Sequence, residues 1–280
     1  MDNWTLAEEF TLPSEGKIYP AEKKVNAKVK LRSMTTEEEM KRLGHSPYVY
    51  KMFSDMIDDC LIEKPGISAY DMCLGDYQFL LYRLRQVTYG ADYKIQSVCP
   101  YCGELEKMTI DLNSLEIHSF NDSIGKSLEF QLPVSKKLIK LRWQTPRMLD
   151  EIEKLTKEEN SKSSDSIESA VLYNVMYLID TIDGVVYDDV KKELFVRHLP
   201  MRDTNYILQK AKESLSKIGL VTNITHTCST CGKDYSMSLP FTGEFFGPTE
   251  DEWWKTLWSN KIWTNRKRTI YNIKVYKYFI

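Results

Sequence analysis

From residue 25 the chain alternates, with Val25, Ala27, Val29 and Leu31 apolar and Asn26, Lys28, Lys30 and Arg32 polar. A period of two predicts a half-buried strand. Thr36-Glu-Glu-Glu39 then reads as a capping box, with Thr36 capping backbone N–H groups and Glu39 reaching back, so a short helix starts there. After Ser46-Pro47 the period changes. Val49, Met52, Phe53, Met56, Ile57, Cys60 and Leu61 recur at three and four, which predicts an amphipathic helix ended by Pro65-Gly66. Asp76 is placed to cap a third helix, with Tyr77, Leu80, Leu81, Leu84 and Val87 inward. Further on, Leu128–Leu132 and Leu138–Trp143 predict a β-hairpin, and Thr145-Pro146 supplies a cap and an N1 proline for a new helix. Lys157–Ser169 is polar and low in complexity, with Ile167 its one apolar residue, and predicts a loop. Ile167, Val171, Val175, Leu178, Ile179 and Ile182 predict an amphipathic helix. Asp203 is placed to cap another, through Tyr206, Ile207, Ala211 and Leu215 to Gly219.

Two stretches break these periods: Cys99-Pro-Tyr-Cys102-Gly103 and Cys228-Ser-Thr-Cys231-Gly232. Each lies between segments of β character, Ala91–Val98 and Glu104–Leu112 around the first, Leu220–Thr227 and Tyr235–Leu239 around the second. Two sulfurs three residues apart can turn toward one cation, and the glycine frees the backbone for the tight turn. Together the hooks offer Cys99, Cys102, Cys228 and Cys231 as a Cys₄ site for one structural Zn²⁺ per chain. Four thiolates fill a tetrahedral shell and leave no position for water or substrate. A thioredoxin-type redox pair belongs at a strand-to-helix turn, whereas strand-like sequence follows here. Disulfides need an oxidising compartment, and Met1-Asp-Asn-Trp does not resemble a signal peptide. His226 is the other candidate ligand, against its simpler reading as a strand histidine. Cys60 and Cys73 lie in apolar helical patterns and read as buried thiols.

The hooks also expose a weak repeat. Asp76 and Asp203 each head a helix, followed by a glycine (Gly90, Gly219), a strand and Cys-x-x-Cys-Gly. The expected fold class is therefore α+β, mixed helices and β-hairpins closed by a Cys₄ zinc-knuckle site, with a pseudo-twofold repeat suggested. The expected domains are 1–248, as two similar halves of about 1–125 and 126–248, and a C-terminal arm, 249–280.

With 280 residues at 42% hydrophobic content, the chain can bury one large core or two small ones. A net charge of −2 argues against a whole-protein polyanion binder. No run has the apolar length of a membrane span. No His-Glu-x-x-His, phosphate loop, nucleophile elbow or dinucleotide fingerprint is present, and none of the four histidines sits in catalytic spacing, so no enzyme is expected.

Several short motifs carry a family resemblance. Leu12-Pro-Ser-Glu-Gly-Lys-Ile-Tyr19, Val29-Lys-Leu-Arg32-Ser-Met34-Thr-Thr-Glu37-Glu38, the two hooks, and Leu239-Pro240-Phe241 with Phe245-Phe246-Gly-Pro248 resemble the T-even-type bacteriophage baseplate hub subunit family. The resemblance covers roughly the first 250 residues. It implies a structural or assembly protein of a contractile tail, located in the virion and in host cytoplasm during assembly. It implies other tail baseplate proteins as partners, and no catalytic residues.

The arm departs from that pattern. Trp253, Trp254, Trp258 and Trp263 crowd its first half, and six Lys and Arg residues with no acid follow Ser259. These tryptophans are candidate partner-binding residues, with packing on the chain's own domain as the alternative. A zinc-ribbon adaptor that binds nucleic acid is the competing function. It ranks lower because aromatic and basic residues serve protein interfaces equally well.

Overall fold

The computed structural model describes residues 5–44, 46–160, 166–239 and 245–246. In chain order the elements are β1 (Ala7–Thr11), β2 (Lys28–Arg32), α1 (Thr36–Leu43), α2 (Val49–Cys60), α3 (Leu74–Tyr89), β3 (Asp92–Val98), β4 (Leu105–Asp111), β5 (Ile117–His118) and α4 (Asp122–Lys126). They continue with β6 (Glu129–Gln131), β7 (Leu138–Leu141), α5 (Pro146–Asn160), α6 (Ser166–Leu178), β8 (Ile179–Ile182), α7 (Asp189–Arg197), α8 (Met201–Leu215), β9 (Gly219–Leu220), β10 (Asn223–Thr227) and β11 (Asp234–Ser238). The fold is α+β, with every strand pairing antiparallel. Among the described residues no helix is long and apolar enough to cross a membrane. The chain divides into two compact units, Met1–Leu81 with Ile117–Leu220, and Tyr82–Glu116 with Val221–Ile280.

The first unit holds most of the helices. Its three-stranded sheet β6–β7–β8 sets Phe130 opposite Ile139 and Ile139 opposite Ile182. Ile139, Leu141, Val175, Ile179, Ile182 and Ile207 are buried there in one apolar cluster. β1 and β2 pair the same way, Phe10 opposite Val29, and Leu31 extends the pairing by a bridge to Leu61. Val29 and Leu31 are buried as the alternation requires, and β2 starts only at Lys28, because Asn26 donates its N–H to Pro65 instead. Cys60 and Cys73 are buried thiols, and desolvation pushes Cys60 up to about 12.

Several local expectations shift. The first capping box sits one residue earlier than expected, with Thr35 as N-cap and Glu38 at N3. Glu38 is buried, takes the Thr35 N–H and hydroxyl at 2.7 and 2.6 Å, and pairs with Arg32 at 2.8 Å. Thr36 is already the first helical residue, so the cap falls to Thr35, whose backbone is extended. Helix α6 stops at Leu178, and Ile179 and Ile182 belong to β8, since their backbone groups pair with β7. Much of the polar Lys157–Ser169 stretch is helical, α5 running to Asn160 and α6 starting at Ser166. Residues 161–165 lie outside the described residues, as do 249–280 with the four tryptophans of the arm.

Neither Asp76 nor Asp203 is an N-cap. Helices α3 and α8 begin at Leu74 and Met201, so both aspartates stand in the first turn, fully buried. Their carboxylates reach other parts of the unit. Asp76 accepts from the Ser14 N–H at 2.9 Å, the Ser14 hydroxyl at 2.5 Å and the Tyr19 hydroxyl at 2.6 Å. Asp203 accepts from the N–H groups of Val134 and Ser135, each at 2.8 Å. Ser14 follows Leu12-Pro13, and Val134 follows Leu132-Pro133, so each aspartate anchors a Leu-Pro turn between two paired strands. Gly219 is not a helix-ending glycine either. It lies in β9 at φ +116°, where a Cβ would stand 2.8 Å from the Gly75 backbone.

The capping box yields a pH prediction. The Arg32 hydrogen bond, helped by Thr35, outweighs desolvation and holds the Glu38 carboxyl at about 2, below its ordinary 4.5. A depressed acid contributes stability that is complete above the unfolded value and lost as pH falls through the folded one. Acid titration from pH 5 to 2 is expected to remove roughly 2 kcal/mol through this group. Glu38→Gln should be less stable at pH 7 and lose correspondingly less on acidification, measured by urea midpoints across that range.

Candidate metal centre

The second unit contains the C-terminal part of α3 and two hairpins, β3–β4 and β10–β11. Arg85 of α3 is fully buried. It donates to the carbonyls of Gly90 and Asp92 at 2.7 and 3.0 Å, and its guanidinium lies 4.8 Å from the Tyr93 ring centre. Phe245 meets Tyr93 and Tyr82 edge-on at 5.2 and 4.8 Å, so the Phe245-Phe246 motif packs into this unit. Inward-facing Tyr93 and Ile95 alternate with outward Lys94 and Gln96 along β3.

Each hairpin ends in one cysteine hook, and the two hooks share one backbone geometry. Cys99 N–H donates to the Glu104 carbonyl and Gly103 N–H to the Cys99 carbonyl, both at 2.9 Å. Cys228 and Gly232 repeat the pattern with Lys233 and Cys228, at 3.0 and 2.9 Å. Gly103 and Gly232 close these turns at φ +77° and +66°, where any side chain would be strained. Two hairpins more than a hundred residues apart thus present their cysteines to each other. Cys99 Sγ lies 3.8 Å from Cys231 Sγ, and Cys102 Sγ 3.6 Å from Cys228 Sγ.

All four sulfurs fall within 4.8 Å of one another, with Cys99 and Cys228 buried, Cys231 half-buried and Cys102 exposed. These separations far exceed a disulfide bond, and the cysteines are free. A tetrahedral shell with sulfur about 2.3 Å from the metal has sulfur–sulfur edges of about 3.8 Å. The four cysteines therefore form a group that can hold a metal ion. The electrostatics agree. Burial opposes the Cys99 thiolate, but the N–H groups of Cys102 and Tyr101 aim at its sulfur and bring the thiol down to about 7. Cys228 receives N–H groups from Cys231 and Thr230, yet desolvation and the neighbouring sulfurs push it up to about 12. Crowded thiols cannot all ionise without a cation among them, and a divalent one removes the conflict.

His226 does not join the sulfurs. Its Nε2 lies 2.5 Å from the Glu106 carboxylate, which also accepts from the Ser229 N–H at 2.6 Å and the Ser229 hydroxyl at 2.5 Å. The Ser229 bonds, hydroxyl first, and His226 hold Glu106 at about 2 against desolvation. Sequence reasoning missed Glu106 and Ser229. The available signal was an acid on the inward parity of a strand, in step with Met108 and Ile110.

The chain is thus a mixed α+β protein in which two hairpins distant in sequence bring four cysteines close enough to hold a metal ion. More specifically, a family model described as T4 bacteriophage base plate protein matches residues 7–247. The chain belongs to that family. No curated protein and no solved structure matches it.

Proposed function

We propose that this chain is a hub subunit, or an assembly factor, of a contractile phage tail baseplate, working through protein surfaces rather than catalysis. The observation that carries the reading is the family match across residues 7–247. In this reading one structural Zn²⁺ per chain sits on Cys99, Cys102, Cys228 and Cys231. Four thiolates suit zinc better than hard cations, and a filled shell offers no open site for a reaction. The protein resides in the virion tail, and in host cytoplasm while tails assemble.

The chain is also read as two similar halves, about 1–125 and 126–248. Supporting this, Leu12-Pro13 and Leu132-Pro133 turns are followed by Val29-Lys-Leu-Arg32 and Ile139-Lys-Leu-Arg142 strands, then by helices, then by Asp76 and Asp203, and finally by the hooks.

Residues 249–280 are the contact arm in this proposal, with Trp253, Trp254, Trp258 and Trp263 docking on neighbouring tail proteins. So much aromatic surface is unfavourable in water, by about 25 cal/mol per Å². A tagged chain co-expressed with the other tail proteins of its phage tests the reading. The full chain should co-purify with tail proteins, and a version ending at Pro248 should lose them while keeping its zinc. Equal recovery by both versions would remove the arm from the interface. Salt-sensitive capture of DNA in place of tail proteins would favour the adaptor function.

A further inference from the structure

We propose that Glu106 is the positioning residue of the metal centre, a carboxylate on the first hairpin that grips the second hook and presents Cys228 and Cys231 to Cys99 and Cys102. The inference rests on the metal reading above and goes beyond its four ligands.

Glu106 is buried, at 6% exposure, and among the described residues its hydrogen-bond partners come from the other hairpin. Its Oε1 takes both donors of Ser229, and its Oε2 faces His226. The Ser229 N–H belongs to the peptide that joins Cys228 to Ser229. Fixing that N–H fixes the plane of the peptide, and together with the Cys228 N–H held on the Lys233 carbonyl it sets the direction in which the Cys228 side chain leaves the backbone. His226 is fixed from a second side, edge-on to Tyr235 at 5.6 Å and opposite it in the β10–β11 register.

The two hooks are alike in backbone and unlike at this one point. Where the second hook has Ser229, the first has Pro100, which has no N–H to give. Where the first hairpin has Glu106, three residues past the hook glycine, the second has Tyr235. The Tyr235 hydroxyl is buried without a hydrogen-bond partner among the described residues. An acid therefore stands only where the opposing hook offers a backbone donor. The contact needs no metal, so it favours the arrangement in which the second hook stands at ligand distance and reduces the ordering that binding must supply. Groups that orient metal ligands in this way typically change affinity ten- to a hundredfold.

Glu106→Ala, Ser229→Pro and the double variant test this in the full-length protein. Ser229→Pro gives the second hook the Cys-Pro-x-Cys sequence with which the first hook already forms its turn. Zinc affinity is read by competition with a chromophoric chelator, and ligand geometry from the absorption of the Co²⁺-loaded protein. Each single variant should bind zinc ten- to a hundredfold more weakly. The double variant should be no weaker than the weaker single one, because both changes break one contact. At saturation the Co²⁺ spectrum should keep its four-thiolate tetrahedral form, which separates misplacement from loss of the site. Wild-type affinity in both single variants, or fully additive losses, would overturn the proposal. Should Glu106→Ala fail to fold, Ser229→Pro, which removes the N–H and the hydroxyl from the other side of the same contact, must still weaken zinc binding or the proposal falls. A wild-type protein that takes up no zinc overturns the metal reading itself, a result distinct from unaffected variants of a zinc-binding protein.

Discussion

Stripping the proposed Zn²⁺ with a strong chelator is expected to open the two hook-bearing hairpins of the second unit while the sheet of the first keeps its protection. Each hairpin of the second unit is two-stranded, and isolated two-stranded hairpins are marginal in water. Around the hooks, among the described residues, the buried apolar cluster is Cys99, Cys228 and Tyr235, with Cys231 and Met237 packed against them. That is too little apolar area to hold the two hook ends together. Structural zinc in small Cys-rich sites supplies an apparent binding energy of roughly 10–16 kcal/mol, and what it holds folded is lost with it. Hydrogen exchange should accelerate by orders of magnitude across β3–β4 and β10–β11 on chelation, with β6–β8 little changed. Metal analysis should find one equivalent per chain. Cys99→Ser or Cys228→Ser should abolish tight binding and not halve it, because ligands from both hooks meet in one cluster of four. Retention of half the metal in Cys99→Ser would mean separate sites. Unchanged exchange after complete metal removal would show that the hairpins stand without it.

How readily each feature could be read from sequence follows from how local its cause is. The hooks were legible because ligand spacing and turn glycine sit within five residues, and the structure brings those four sulfurs together. The β2 and β6–β7 strands were legible from alternation, since one face of each is buried. Asp76 and Asp203 were located but misread. An aspartate in the first turn of a helix looks like a cap whether it serves its own helix or a turn 62 to 69 residues away. Ile179 and Ile182 fit the helical period as well as the strand period, and only their pairing with β7 decides between the two. Glu106 was missed because its partners lie 120 and 123 positions further along the chain. Long-range polar contacts leave no period in a sequence.

The two anchoring aspartates should respond oppositely to the same substitution. Both are fully buried and both hold a Leu-Pro turn, so truncation to Ala should destabilise each variant by about 2–4 kcal/mol, leaving buried donors unpaired. Asparagine separates them. Asp203 faces two backbone N–H groups, one on each oxygen, and a backbone N–H cannot become an acceptor. An amide there sets one NH₂ against an N–H, so Asp203→Asn should cost nearly as much as Ala. Asp76 faces one backbone N–H on Oδ1, while among the described residues Oδ2 meets the hydroxyls of Ser14 and Tyr19. Hydroxyls can rotate to accept from an amide, so Asp76→Asn should lie within about 1 kcal/mol of wild type. The titration directions agree. Desolvation raises the Asp76 carboxyl against the pull of Ser14 and Tyr19, so its ionised form is disfavoured in the fold. Removing that charge gains relative stability as pH rises above the ordinary aspartate value. At Asp203 the same desolvation is outweighed by the N–H groups of Ser135 and Val134, and the carboxyl is lowered. Its contribution is present above the unfolded value and disappears on acidification, so the Asp203→Asn deficit should shrink as pH falls toward 3. Urea denaturation of the four variants at pH 7 and pH 4 reads all of this. Equal costs for the two asparagine variants at pH 7 would show that donor type at the carboxylate does not govern how these turns are held.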